Sequence, residues 1–142
     1  MPNKTLEKPH YHIAILLLWR DGKILASKRP AKADHLAGFW EFPGGKCAPG
    51  EAPGEAARRE AYEELGVEVE ITYQRLPLEF DYPTRRVTLH PFDAVITQGE
   101  PQPLASRSLR WMAPAELRDE EFPPANAPLL EEIRRDTRRV SA

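Results

Sequence analysis

An α+β fold, with a mixed and curved β-sheet held between helices, is predicted by three observations. Apolar segments of strand length recur between residues 11 and 112, a four-residue apolar repeat fills 53–65, and a second helical stripe fills 128–139. No internal repeat or low-complexity tract points to another architecture. With 142 residues the chain is of single-domain size. Residues 1–10 are polar and aperiodic and read as a flexible N-terminal arm, with 11–142 as one domain.

Tyr11 to Trp19 and Lys23 to Lys28 read as strands joined by the Asp21-Gly22 turn. Residues 29–40 mix Pro30, Gly38 and charges, as a surface loop of functional length does. Glu41 to Gly45 reads as a short strand ending in Pro-Gly-Gly. A helix is predicted from Pro53 to Leu65: Pro53 suits a first turn, Glu55 favours the positive helix start, and Gly66 is a stop signal. Ala57, Ala61 and Leu65 make its buried stripe. Alternating segments follow at Val67 to Tyr73, Leu76 to Tyr82 and Arg86 to Thr97, then a short strand at Leu109 to Met112. Ala115 to Leu117 reads as one helical turn. Pro128 to Arg139 reads as a terminal helix with Leu129, Leu130 and Ile133 facing inward.

Composition excludes several classes of function. Lys plus Arg total 20 and Asp plus Glu 22, a formal charge of -2 that argues against general affinity for nucleic acid or anionic lipid. An apolar content of 41% supplies a core and excludes wholesale disorder. Cys47 is the one cysteine, which removes intrachain disulfides and multi-cysteine zinc sites and fits a reducing compartment, with a cytoplasmic location expected. The apolar run Ile13 to Trp19 is far shorter than the roughly 20 residues of a spanning helix. The turn that follows it makes it a buried strand, so no membrane association is expected.

The predicted helix carries the chemistry. Glu60, Glu63 and Glu64 are spaced i, i+3 and i+4, which stacks three carboxylates on one face where like charges destabilise an isolated helix. Arg59 offsets part of that repulsion. A hard divalent cation offsets the rest, because oxygen ligands on one rigid face, completed by water and phosphate, are what magnesium prefers. Immediately upstream, Pro43-Gly44-Gly45 lets backbone approach a ligand without side-chain obstruction.

Gly45, five residues, Glu51, seven residues, Arg59-Glu60, Ala61-Tyr62, Glu63-Glu64, Leu65-Gly66-Val67 satisfies every fixed position of the Nudix box, so the sequence resembles the Nudix hydrolase family. The resemblance implies an α/β/α sandwich and hydrolysis of a nucleoside diphosphate linked to another group. It also implies magnesium, with manganese able to substitute, held by Glu60, Glu63, Glu64 and the carbonyl of Gly44. Arg59 is then expected to orient Glu51 and the helix glutamates through a charge-assisted fork. One of the three glutamates would take the proton of the attacking water. The family points to Glu60 as that base and Glu64 as the firmest metal ligand.

The run Gly38-Phe39-Trp40-Glu41-Phe42-Pro43-Gly44-Gly45-Lys46 is similar to the MutT branch of the family, which sanitises nucleotide pools. That similarity implies that Arg29 contacts phosphate, that His35 and Glu41, Phe42, Pro43 and Gly44 line the nucleotide, that Tyr82 forms an aromatic wall, and that Asn126 of Phe122-Pro123-Pro124-Ala125-Asn126 reads the base. An oxidised guanine bears an acceptor beside a donor on its edge, and one Asn amide matches both. Normal guanine shows two acceptors there, a buried mismatch costing about 1 to 3 kcal/mol.

Three readings remain open from sequence: an 8-oxo-dGTP diphosphatase acting on the nucleoside triphosphate, a sibling acting on cytidine triphosphates, and a non-catalytic module that inspects oxidised guanine. The expected partner is the nucleotide alone, with no stable nucleic acid complex and a monomeric protein. His10, His12 and His90 read as structural, and Cys47 as an incidental thiol with no histidine indicated nearby. One departure from the family is notable. Many relatives carry a further metal-binding glutamate in the loop before the Arg-Trp pair, and counting back from Arg110-Trp111 that position holds Ala105.

Overall fold

A computed structural model describes residues 7–29, 38–106 and 108–136. Strands β1 (His10–Arg20), β2 (Lys23–Lys28), β3 (Trp40–Glu41) and β4 (Gly44–Lys46) precede helix α1 (Pro53–Leu65); β5 (Glu68–Gln74), β6 (Leu78–Asp81), β7 (Arg86–Gln98) and β8 (Ser108–Met112) follow. Helix α2 (Ala127–Arg135) comes last, after short 3₁₀ turns at Pro114–Glu116, Asp119–Glu121 and Pro124–Asn126.

The sheet is organised around two long strands. β1 and β7 run parallel from His10↔Arg86 to Leu18↔Ala94. The outer side of β1 is shared by β4 and then β2, both antiparallel. That of β7 is shared by β6 and then β5. β3 and β8 flank β2. Dividing each long strand between two short partners bends the sheet, as the sequence predicts.

Strand alternation then makes two cores. Ala14, Leu16 and Leu18 of β1 pack with Ala57, Ala61 and Leu65 of α1. Leu17 and Trp19, one residue out of phase, pack with Leu129, Leu130 and Ile133 of α2. The helices thus cover opposite faces, giving the α/β/α sandwich.

The predicted ends of α1 hold. Glu55 accepts the Ala52 amide at 3.0 Å, and Gly66 adopts the left-handed conformation (φ 74°) with its amide on the Tyr62 carbonyl at 2.9 Å. Three expectations are corrected. The strand expected over Glu41 to Gly45 is two strands, β3 pairing β2 and β4 pairing β1, because Pro43 between them has no amide to offer a ladder. α2 begins one residue early and ends at Arg135, where Asp136 leaves helical geometry (φ -89°, ψ 79°) and lies 3.9 Å from Arg75. β1 starts at His10. Of the expected arm, residues 1–6 lie outside the described residues, while Lys8 pairs with Asp81 and donates to the Tyr82 carbonyl.

A buried ion pair that the sequence reading missed ties α2 to the sheet. Asp93, 1% exposed, accepts Trp19 Nε1 at 2.8 Å and Arg75 Nε and Nη2 at 2.7 and 3.1 Å, and Arg75 reaches Glu132 of α2 at 3.4 Å. No described helix is long and apolar enough to cross a membrane.

Candidate active site

α1 presents its carboxylates to β4. Glu64, one turn beyond Glu60, accepts the Gly44 amide at 3.3 Å. Burial is the first cause that holds the Glu64 carboxyl well above the ordinary carboxylate range. Glu60 and Glu41 add to it and the Gly44 amide opposes it. A Cβ on Gly45 would overlap Glu60 Oε2, and one on Gly44, at φ 147°, would overlap the Ala14 carbonyl. The two glycines therefore permit β1, β4 and the carboxylates to approach this closely.

Arg59 organises the remaining acids. Its Nε and Nη2 grip Glu51 at 2.8 and 3.0 Å, Nη2 also donates to the Lys46 carbonyl at 3.1 Å, and Nη1 lies 3.1 Å from Glu63 and 3.4 Å from Glu60. Glu51 also takes the Ala48 amide, and these bonds lower its carboxyl to about 2. The fork expected from the sequence is present. The three helix glutamates, however, do not converge. Glu63 is turned to Arg59 and 55% exposed, and among the described residues no three His, Cys, Asp or Glu side chains are arranged to hold a metal ion as they stand.

The donor set still fits a hard cation. Two neighbouring carboxyls, Glu60 and Glu64, in a cradle kept open by Gly45, present oxygen ligands whose mutual repulsion and burial a cation would relieve. Glu41 borders the same place: with Ser27, Glu64, Leu65, Ala105 and Ser106 it lines a cavity of about 50 Å³. Ala105 thus borders Glu41 and Glu64 and brings no carboxylate there. Glu100 does not replace it, being paired through both oxygens with Arg20 at 3.0 and 3.1 Å.

Arg29 donates to Glu41 at 3.3 Å. Burial raises the Glu41 carboxyl against the opposing pull of Arg29. Phe42 is buried with its ring 5.2 Å from Phe122, which supports the stretch leading to Asn126 from behind, and the Pro43 carbonyl accepts the Leu16 amide at 2.8 Å. His35 lies outside the described residues.

On the α2 side of the sheet a cleft of about 770 Å³ is lined by Tyr82 and Asn126, with Tyr11, Ile13, Phe80 and Arg85 among its other walls. Tyr82 and Asn126 thus line one cleft. Asn126 closes the 3₁₀ turn Pro124–Asn126 and precedes α2 without capping it through its side chain. The Tyr82 ring is stacked against Phe80 at 6.3 Å and covered by Arg85 at 5.1 Å. Phe80, Arg85 and Tyr11 were missed from sequence. Strand period two, which puts Phe80 on the face of Tyr82 and Tyr11 on that of Ile13, is the signal that could have found them.

The structure corrects one further expectation. Cys47 does have histidines nearby: with His10, His12 and His90 it lines a hollow of about 520 Å³ on the α1 side, bordered by Lys46 and Glu51. Burial first, then Glu51, raises the Cys47 thiol, which disfavours a nucleophilic thiolate.

Comparison with known proteins agrees with this geometry. The model of the NUDIX domain matches residues 14–132. The CTP pyrophosphohydrolase of Escherichia coli is 36% identical over 119 residues, 84% of this chain and 87% of that one. The 8-oxo-dGTP diphosphatase of the same organism is 35% identical over 115 residues, 81% and 88% of the two chains. Among solved structures, the E. coli ORF135 protein superposes with a TM-score of 0.75 at 34% identity, covering 87% of this chain and 88% of its own. A MutT NUDIX hydrolase from Burkholderia pseudomallei gives 0.76 at 27% identity, covering 89% and 99%.

Proposed function

Because the chain belongs to the NUDIX domain family and is a Nudix hydrolase, we propose that it hydrolyses 8-oxo-dGTP or 8-oxo-GTP to the monophosphate and pyrophosphate, and so cleanses the nucleotide pool. The observation that carries this reading is the cleft shared by Tyr82 and the uncapping Asn126. An aromatic wall and one amide in a walled cleft suit a flat base whose edge offers an acceptor beside a donor.

In this reading Glu60, Glu63, Glu64 and the Gly44 carbonyl would hold magnesium, Glu63 leaving Arg59 to do so. Bound there, the cation would neutralise phosphate oxygens and acidify water. Arg59 keeps Glu51 fixed, so that the loop after β4 stays docked on the helix when substrate enters. Glu60 would take the proton as water oxygen attacks one phosphorus of the triphosphate and a bridging phosphorus–oxygen bond breaks, the electron pair leaving with the fragment beyond that bond. Arg29, held by Glu41, contacts the phosphates. The protein acts as a monomer on a free nucleotide.

A second reading has a specific basis, since the relative named CTP pyrophosphohydrolase is as similar as the one named 8-oxo-dGTP diphosphatase. A panel of nucleoside triphosphates with magnesium, assayed for monophosphate and pyrophosphate, separates them. Highest kcat/KM on the oxidised guanine nucleotide supports the proposal, and highest kcat/KM on cytidine triphosphates overturns it.

A further inference from the structure

Parallel pairing of β1 with β7 gathers three imidazoles on the α1-side face, beyond the end of the helix-covered core. His12 Nδ1 lies 3.0 Å from His90 Nε2, the His10 and His12 ring centroids are 4.3 Å apart, and His10 Nε2 is 2.7 Å from Thr88 Oγ1. None of these residues belongs to the carboxylate centre, and none lines the cleft that holds Asn126. They line the separate hollow with Cys47, which Lys46, lying over the Tyr11 ring at 4.2 Å, divides from that cleft.

We propose that His12 and His90 form a two-imidazole binding site, its shell completed by water, for a borderline transition-metal ion of the nickel or zinc class, distinct from the carboxylate centre. Two nitrogens each about 2.1 Å from one ion are about 3.4 Å apart at the tetrahedral angle of zinc and about 3.0 Å apart at the right angle of a tetragonal nickel site. The second is the separation already present between His12 Nδ1 and His90 Nε2. An ion placed so lies off the line of that hydrogen bond, so the bridging proton moves to the donor ring's other nitrogen and frees a lone pair for the ion. His12 is exposed, so its ring can turn the lone pair toward an ion in the hollow, while His90 is anchored on β7.

Burial first, and then the neighbouring His12 and His10, disfavour a charged His90 ring, and Glu79 acts in the opposite sense. On the hollow's rim Glu51 is neutralised by Arg59, and Lys46 opposes a cation. Imidazole nitrogen selects nickel or zinc over magnesium, which prefers oxygen, so the two centres sort their metals by ligand chemistry.

The test is a nickel titration of the full chain in excess magnesium, followed by calorimetry and by the imidazole signals of nitrogen-edited NMR, with zinc as a diamagnetic second probe. One saturable site per chain is expected, with the His12 and His90 resonances moving together on zinc addition. The exposed variant His12→Ala is expected to lose that site while keeping wild-type magnesium-dependent turnover. Absence of a saturable site in the wild type, or its full retention in His12→Ala, overturns the proposal. Neither outcome depends on which nucleotide the enzyme prefers.

Discussion

The Glu51 carboxylate is gripped through both oxygens by Arg59, Nε on one at 2.8 Å and Nη2 on the other at 3.0 Å, and this pair fixes the loop after β4 to helix α1. It has a direct pH consequence. With its carboxyl lowered from 4.5 to about 2, Glu51 contributes stability that is fully present above the unfolded value and lost as pH falls through the folded one. The thermal midpoints of the wild type and Glu51→Gln are expected to differ by a constant amount at neutral pH. That gap should close between pH 4.5 and about 2. A gap unchanged at low pH would show that Glu51 stabilises by its shape alone.

Glu64→Gln is expected to abolish turnover while leaving the fold intact. The amide keeps an oxygen for the Gly44 N–H and puts no charge where burial already disfavours one, so the metal-free variant should melt no lower than wild type. The rise in melting temperature on adding magnesium should disappear with the ligand. Near wild-type activity at limiting magnesium would contradict the assignment.

The two adjacent glycines are predicted to fail differently. In Gly45→Ala the new methyl displaces the movable end of Glu60, so turnover falls and the fold survives. In Gly44→Ala the methyl meets the Ala14 backbone at a φ that side chains avoid, costing on the order of 2 kcal/mol or more in urea denaturation.

On the proposed reading, in which the Asn126 amide reads the base, Asn126→Ala is expected to lower the preference for 8-oxo-dGTP over dGTP about tenfold or more, through KM more than kcat, since the carboxylates are untouched. Steady-state kinetics on both nucleotides checks it. An unchanged ratio would reduce Asn126 to a turn residue.

Asp93→Asn should cost about 3 kcal/mol or more, since it leaves Arg75, 5% exposed, buried beside a neutral partner while still offering Trp19 an acceptor. Chemical denaturation reads this loss directly. A variant as stable as wild type would mean that Glu132 and Asp136 suffice for Arg75.

Local chemistry was legible in the sequence. Pro53 and Gly66 bound α1, the i, i+3, i+4 spacing put Glu60, Glu63 and Glu64 on one of its faces, and Leu129, Leu130 and Ile133 announced the buried stripe of α2. Each depends on periods of two or 3.6 residues, or on the conformational limits of proline and glycine, which act within a few residues of chain. What needed the tertiary structure was everything set by strand pairing. The parallel register of β1 on β7 brings His12 to His90 and buries Asp93 for Arg75 and Trp19. The fold of β6 and the turn before α2 brings Tyr82 to Asn126, and Arg59 draws Glu63 away from the two carboxylates beside it on the helix. Such contacts join residues far apart in the chain or choose between competing partners, and no local period encodes that choice.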